Sequence, residues 1–174
     1  MQLTTTLLPL AAFAATALSQ TTPTPTIPEG YRKVILNTIK DAKFAVQAQT
    51  PIKSGSGIIL FTVKATSPKP EQQWWIKDGN TKVQLADTNF CLDAGTGRSN
   101  GSPLTIQDCA DTKASQKWLY QPEGYLVLDQ SSGTKLCVDL YTGSVRDNTK
   151  IVLWQCINGD KNHQWPAANV TATP

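Results

Sequence analysis

Residues 136–165 read LCVDLYTGSVRDNTKIVLWQCINGDKNHQW, and they contain three short phrases that the chain has already used twice. The first, Leu136-Cys137-Val138-Asp139, occurs earlier as Phe44-Ala45-Val46-Gln47 and Phe90-Cys91-Leu92-Asp93. The second, Leu153-Trp154-Gln155-Cys156, answers to Leu60-Phe61-Thr62-Val63 and Ile106-Gln107-Asp108-Cys109. The third closes each unit on tryptophan, as Gln72-Gln73-Trp74, Gln116-Lys117-Trp118 and His163-Gln164-Trp165. These tryptophans are 44 and 47 positions apart. Three landmarks recurring in order at one period mark a repeat architecture.

Between the landmarks, short runs of β-type residues alternate with turn residues. Tyr125-Leu126-Val127-Leu128 and Ile151-Val152-Leu153-Trp154 have the length and composition of strands. Ser54-Gly55-Ser56-Gly57, Gly95-Thr96-Gly97 and Ser131-Ser132-Gly133 supply turns. Residues 31–46, YRKVILNTIKDAKFAV, carry apolar residues at a helix-like spacing. Asn37 and Asp41 instead fit the turns of a hairpin, and the repeat makes Lys43 to Val46 a strand. Each unit is too small to bury its own face, so the three must share one core. The expectation is an all-β, pseudo-threefold closed barrel without free edges. Trp74, Trp118 and Trp165 belong in that core, with Gln72 and Gln116 as structural donors to backbone.

Cysteine enters and leaves the repeats in pairs. Cys91 and Cys109 hold the same two places as Cys137 and Cys156, while the first unit has Ala45 and Val63 there. This favours the bridges Cys91–Cys109 and Cys137–Cys156 over the other two connectivities. Loops of this length are worth about 3 kcal/mol each in the chain-entropy model. Zinc is the competing use, but it favours closely spaced Cys pairs, which this chain lacks.

Outward from the repeats, the first nineteen residues, MQLTTTLLPLAAFAATALS, hold an apolar run from Leu7 to Leu18 broken only by Pro9 and Thr16. A bilayer span needs roughly 20 apolar residues, so this run is too short. Small residues before Gln20 or Leu18 give it the cleavage geometry of a signal peptide. Residues 20–28 form a Thr/Pro-rich spacer in which proline prevents both helix and packed strand. Residues 29–168 remain for the folded domain, followed by a tail at 169–174. Asn100-Gly101-Ser102 and Asn169-Val170-Thr171 are N-glycosylation sequons. A secreted, extracellular product without membrane insertion is expected.

Composition narrows the function further. Charged residues are 17% and the net charge is +3, which does not make the basic stripe of a nucleic-acid binder. The single histidine, His163, leaves little for a His-based metal centre or a Ser-His-Asp triad, and the 13 acidic residues form no recognisable acid/base pair. No catalytic residue, metal or cofactor is expected, and the chain is not read as an enzyme.

The phrases FCLD…C…QKW and LCVD…WQC…NHQW, with Gly30-Tyr31-Arg32 opening the first unit, resemble the ricin B-type lectin β-trefoil over about residues 29–166. The resemblance implies twelve strands, four per unit, and up to three shallow sugar pockets for galactose, N-acetylgalactosamine or related glycans. In such a pocket the Asp of the Cys-x-Asp phrase accepts hydrogen bonds from sugar hydroxyls. An aromatic residue two before the second Cys stacks on the sugar, and a polar residue three before the closing Trp completes the set. A sugar has an apolar C–H face and polar edges, so a flat ring and convergent polar groups suit it.

Carried over residue by residue, the first unit has Phe61 but Gln47 and Glu71 in the polar places. The second keeps Asp93, with Gln107 for the aromatic and Ser115 for Asn. Only the third has Asp139, Trp154 and Asn162 together, with Tyr141 and His163 nearby. The resemblance therefore implies a main site in the third unit and a weaker second site at Asp93 and Gln107. Alternation along the strand turns Trp154 outward if Leu153 faces the core. Asp93 is read first as a residue that satisfies turn amides. Glycans or glycoproteins are the expected partners, and the oligomeric state stays open. The alternative is a protein-binding trefoil, such as a protease inhibitor, acting through the loop Lys64 to Glu71, KATSPKPE.

Overall fold

A computed structural model describes Gln2 and residues 25–64, 66–130 and 133–170. The signal-peptide reading, most of the Thr/Pro spacer, Ser131-Ser132 and the last four residues lie outside that description. The described chain is all-β. The first repeat contributes β1 (Arg32–Thr38), β2 (Asp41–Ala48), β3 (Ile58–Thr62) and β4 (Trp74–Ile76). The second contributes β5 (Gly79–Thr81), β6 (Gln84–Leu85), β7 (Phe90–Asp93), β8 (Ser102–Pro103), β9 (Thr105–Asp108) and β10 (Trp118–Tyr120). The third contributes β11 (Leu126–Leu128), β12 (Leu136–Leu140), β13 (Thr149–Gln155) and β14 (Ala167–Asn169).

Fourteen strands stand where twelve were expected, and the excess lies wholly in the second repeat. Two of its four strands are broken, one at Lys82-Val83 and one at Leu104. The breaks serve closure. β9 pairs with β7 while β8 pairs with β13, and β5 pairs with β10 while β6 pairs with β4 and β7. Each broken strand thus reaches neighbours on two sides, and the antiparallel sheet joins back on itself. The β1–β2 hairpin turns at Ile39-Lys40. Asn37 and Asp41, expected to form turns, lie in the two strands instead, Asn37 one residue before the end of β1 and Asp41 at the start of β2. Asn37 Nδ2 donates to the Ala42 carbonyl at 2.9 Å, and Asp41 Oδ1 accepts from Lys43 N at 2.9 Å.

The core reproduces the repeat in three dimensions. Val46, Leu92 and Val138 enter one cluster, together with Leu60, Ile106 and Leu153. Trp74, Trp118 and Trp165 are fully buried in it, each 0% exposed. Each indole Nε1 donates to the same repeat position, the carbonyls of Val46, Leu92 and Val138, at 3.1, 3.1 and 2.9 Å. An indole buries roughly 150–250 Å², about 4–6 kcal/mol as an upper bound. Its one polar atom is satisfied, which keeps that gain. The bridges Cys91–Cys109 and Cys137–Cys156 close at S–S distances of 2.05 and 2.08 Å.

Candidate functional site

β12 and β13 pair with Cys137 opposite Trp154 and Asp139 opposite Val152. Opposite residues of an antiparallel pair share a face. These four therefore turn away from the core that Val138 and Leu153 enter. Trp154 is half-buried, whereas Asp139 is buried at 5% exposure. Trp154 and Asp139 are diagonal neighbours on one face of the pair, and such neighbours stand about 7–8 Å apart. The turn Tyr141–Gly143 follows β12 and leaves Tyr141 exposed at 42%. The 3₁₀ turn Lys161–His163 brings Asn162 and His163 to the same end of β12.

His163 is fully buried, and its place in the repeat explains why. In the second repeat Gln116 satisfies three groups at once. Its Oε1 accepts from Ala110 N at 2.8 Å, and its Nε2 donates to the Asp108 carbonyl at 3.0 Å and to Asp93 Oδ2 at 2.9 Å. An imidazole cannot offer a carbonyl. In the third repeat His163 Nδ1 lies 3.0 Å from Asp139 Oδ2, and Nε2 lies 3.9 Å from Asp160 Oδ2. Neither ring nitrogen makes a hydrogen bond of good geometry. Asp160 caps the turn through Oδ1, which accepts from Asn162 N at 2.9 Å. Donor atoms of Asp139, Asp160 and His163 fall within 4.8 Å of one another. Three protein donors are one fewer than a structural zinc site uses and the number that a catalytic one uses. The group is an imidazole held between two carboxylates.

The second repeat spends its polar groups internally. Asp93 Oδ1 accepts from Gly95 N at 2.7 Å, the turn-amide role, while Oδ2 is held by Gln116. Gln107 has the outward place of Trp154, opposite Cys91. Its Oε1 accepts from Ser54 Oγ at 2.5 Å and its Nε2 donates to Thr105 Oγ1 at 3.3 Å. The first repeat differs again. Gln47, Phe61, Lys69 and Glu71 line a cleft of about 220 Å³ with Gln49 and Asn148. There Lys69 Nζ sits 4.7 Å from the centroid of Phe61 and covers its ring.

Two residues near the third-repeat group escaped the reading of the sequence. Asp160 occupies the place of Lys69 and Lys113 in the other repeats, and it changes together with the Gln-to-His replacement at 163. That coupled departure was a usable signal. Lys40, at the tip of the β1–β2 hairpin, donates to the Gly143 carbonyl at 2.7 Å and to Asn162 Oδ1 at 3.0 Å. No sequence spacing announces contacts across 103 and 122 positions.

The Lys64 to Glu71 loop is tied down where it is described. Ser67 N donates to the Lys64 carbonyl at 2.9 Å, Gln73 Nε2 to the Pro68 carbonyl at 2.9 Å, and Lys69 N to Gln72 Oε1 at 3.2 Å. A larger cleft, about 460 Å³, lies beside the Cys137–Cys156 bridge and is walled by Tyr125, Val127, Lys135 and Ile157. It does not include Asp139, Trp154 or Asn162. Both sequon asparagines are exposed. Asn100 also accepts from Gln155 N through Oδ1 at 2.7 Å.

The family model of the ricin-type beta-trefoil lectin domain matches residues 35–165. The Arabidopsis thaliana protein "Ricin B-like lectin EULS3" is 33% identical over 119 residues, covering 56% of this chain and 37% of that protein's length. Among solved structures, the designed 3-fold symmetric protein ThreeFoil superposes with a TM-score of 0.63 at 21% identity, covering 81% of this chain and 99% of ThreeFoil. The C-half of the earthworm R-type lectin, in complex with GalNAc, gives a TM-score of 0.61 at 15% identity, covering 79% of this chain and 98% of that one. The shared landmarks, the β-trefoil closure and the family match agree: the chain belongs to the ricin-type β-trefoil lectin domain family.

Proposed function

We propose that the chain is a secreted, non-catalytic lectin that binds galactose- or N-acetylgalactosamine-type glycans through its third repeat. One observation carries the choice of repeat. Asp139 stands on an outward face with Trp154, and among the described residues its carboxylate, with His163 and Asp160 beside it, accepts no hydrogen bond of good geometry, whereas both oxygens of Asp93 are held by Gly95 and Gln116. A carboxylate not consumed internally is available to sugar hydroxyls, and an ionised acceptor makes the stronger kind of hydrogen bond. Trp154 supplies the flat apolar face, Asn162 a neutral polar group, and Tyr141 an exposed ring at the rim. His163 and Asp160 pack behind Asp139. Secretion rests on the N-terminal apolar run and on the sequons at Asn100 and Asn169.

A glycan array read with wild-type protein, Asp139→Ala, Trp154→Ala and Asp93→Ala tests the assignment. Signals from galactose-type glycans should vanish in the first two variants and persist in the third. Equal loss from Asp93→Ala, or none from Asp139→Ala, would reverse the ranking of the repeats.

A further inference from the structure

The third-repeat group is completed from the opposite end of the chain. Lys40 belongs to the first repeat, yet its backbone is fixed beside the last turn of the third. Asn37 N donates to the Pro166 carbonyl and Ile39 N to the Gln164 carbonyl, both at 3.1 Å. From there the ammonium reaches the Gly143 carbonyl at 2.7 Å and Asn162 Oδ1 at 3.0 Å. It joins the turn that carries Tyr141 to the turn that carries Asn162. Gly143, at φ +67°, leaves no room for more. A Cβ there would lie 3.0 Å from both Lys40 Nζ and Asn162 Oδ1.

Two consequences follow from hydrogen-bond inventory. Asn162 accepts with its oxygen, so its amide nitrogen is the end left to donate. Lys40 has three N–H donors, of which two are used on neutral acceptors. Among the described residues no carboxylate lies within ion-pair distance of it. Its charge is exposed at the rim and lacks a protein counter-ion there. The repeat positions that correspond to Lys40 are Ala86 and Ser132, which are uncharged. The second repeat shows the structural rival for this role. There Arg98 Nη1 bonds the corresponding carbonyl, Gly97 O, at 2.7 Å, but it does so from within the same loop and also bonds the Gly95 carbonyl at 3.0 Å.

We propose that Lys40 determines specificity at the third-repeat site, where its ammonium selects glycans bearing an anionic substituent, a carboxylate or a sulfate, over their neutral counterparts. The inference rests on the reading of the third repeat as the sugar site. In this arrangement Asp139 receives the sugar hydroxyls at the buried end, and Lys40 donates its remaining N–H to the anion at the outer end. A hydrogen bond between two charged groups is about twice as strong as a neutral one.

Calorimetric titration with three matched probes tests it: N-acetyllactosamine, the same disaccharide carrying a sialic acid, and the same disaccharide carrying a sulfate. Wild-type protein should bind at least one anionic probe about tenfold more tightly than the neutral one. That advantage should shrink as salt is raised from about 0.05 to 0.5 M, because a rim charge is screened. Lys40→Met should erase the advantage by weakening the anionic probe more than the neutral one, and Lys40→Arg should keep it. The arm that shows the preference identifies carboxylate or sulfate. Equal affinity of wild type for all three probes overturns the inference, as does Lys40→Met weakening all three alike, which is the loop-holding role alone. Asp139→Ala separates the two layers. If wild type binds no probe, or if Asp139→Ala binds as well as wild type, the sugar-site reading itself falls. If binding needs Asp139 but shows no preference for charge, only the role of Lys40 falls.

Discussion

The second and third repeats fold the same way and use the same aspartate differently. Their β7–β9 and β12–β13 pairs share one register, with Cys91 opposite Gln107 and Cys137 opposite Trp154, and Trp118 and Trp165 make the same bond to the same backbone position. Yet Asp93 is a structural acceptor, bonded on both oxygens, whereas Asp139 faces His163 Nδ1 at 3.0 Å without a hydrogen bond of good geometry. The difference arises one layer behind the aspartate. Gln116 has donor and acceptor on one amide and can close a complete set of bonds around Asp93. His163 cannot, and it lies between Asp139 and Asp160. Motif residues alone therefore do not make a site: what counts is whether the neighbours leave the motif residue anything to offer.

The largest effects should come from exchanging the two aspartates for alanine. Asp93→Ala strands one of the two Nε2–H groups of Gln116 and the Gly95 N–H, so it should lower unfolding stability by about 2–3 kcal/mol. Its glycan affinity should stay within about twofold. Asp139→Ala should do the opposite, abolishing binding with a smaller loss of stability. Denaturant melts and titrations on the same two proteins decide the matter. Loss of stability confined to Asp139→Ala would show that the comparison has been drawn backwards.

A middle-sized effect should follow from grafting the second-repeat residue into the third. His163→Gln restores an amide that can donate to Asp139, so binding should remain within about threefold of wild type. His163→Ala leaves a cavity behind a buried carboxylate and should cost about 2 kcal/mol of stability together with most of the affinity. If His163→Gln also abolishes binding, the imidazole does more than orient Asp139.

The smallest effect concerns the seam between the two repeats. Tyr120, in the second, donates through its hydroxyl to the Trp165 carbonyl of the third at 3.1 Å. Burial raises its pKa above the ordinary value of 10.0. The folded state then prefers the neutral phenol more than the unfolded chain does. Its contribution is complete below pH 10 and falls away as pH rises through the raised value. Tyr120→Phe should cost about 1 kcal/mol at neutral pH and flatten the alkaline part of the stability profile. Parallel curves for the two proteins above pH 10 would contradict this.

Much of the fold was legible because its marks are local and repeated. The tryptophan phrases located the core, paired cysteines gave both bridges, and alternation from Leu153 placed Trp154 outward. The hairpin over 31–46 was also readable, although its turn fell at Ile39-Lys40 rather than at the polar residues on either side. The two broken strands were not legible. Continuity of a strand depends on which neighbours it must reach to close the sheet; nothing at Lys82 announces the first break, and at Leu104 the one local signal is Pro103, which has no N–H for the ladder. The site divides along the same line. Asp139, Trp154 and Asn162 are fixed by phrases within one repeat, whereas Lys40 arrives by closure of the barrel from the far end of the chain.

The bond from Trp165 to the Val138 carbonyl has a meaning for how such repeats change over time. Val138 points into the core and Asp139, its neighbour, points out. The anchor and the reading residue are thus adjacent in sequence but opposed in space. Backbone placement at Asp139 is secured from beneath, so under the proposed function little backbone mobility would be lost on binding. The side chain itself contributes nothing to that anchor. The same holds at Gln47 and Asp93, whose preceding residues carry the equivalent bonds. Outward residues can be exchanged repeat by repeat while the indoles keep the frame. One chain can then hold three divergent surfaces, with an imidazole between two carboxylates in one and internal bonding or a lysine-covered ring in the others.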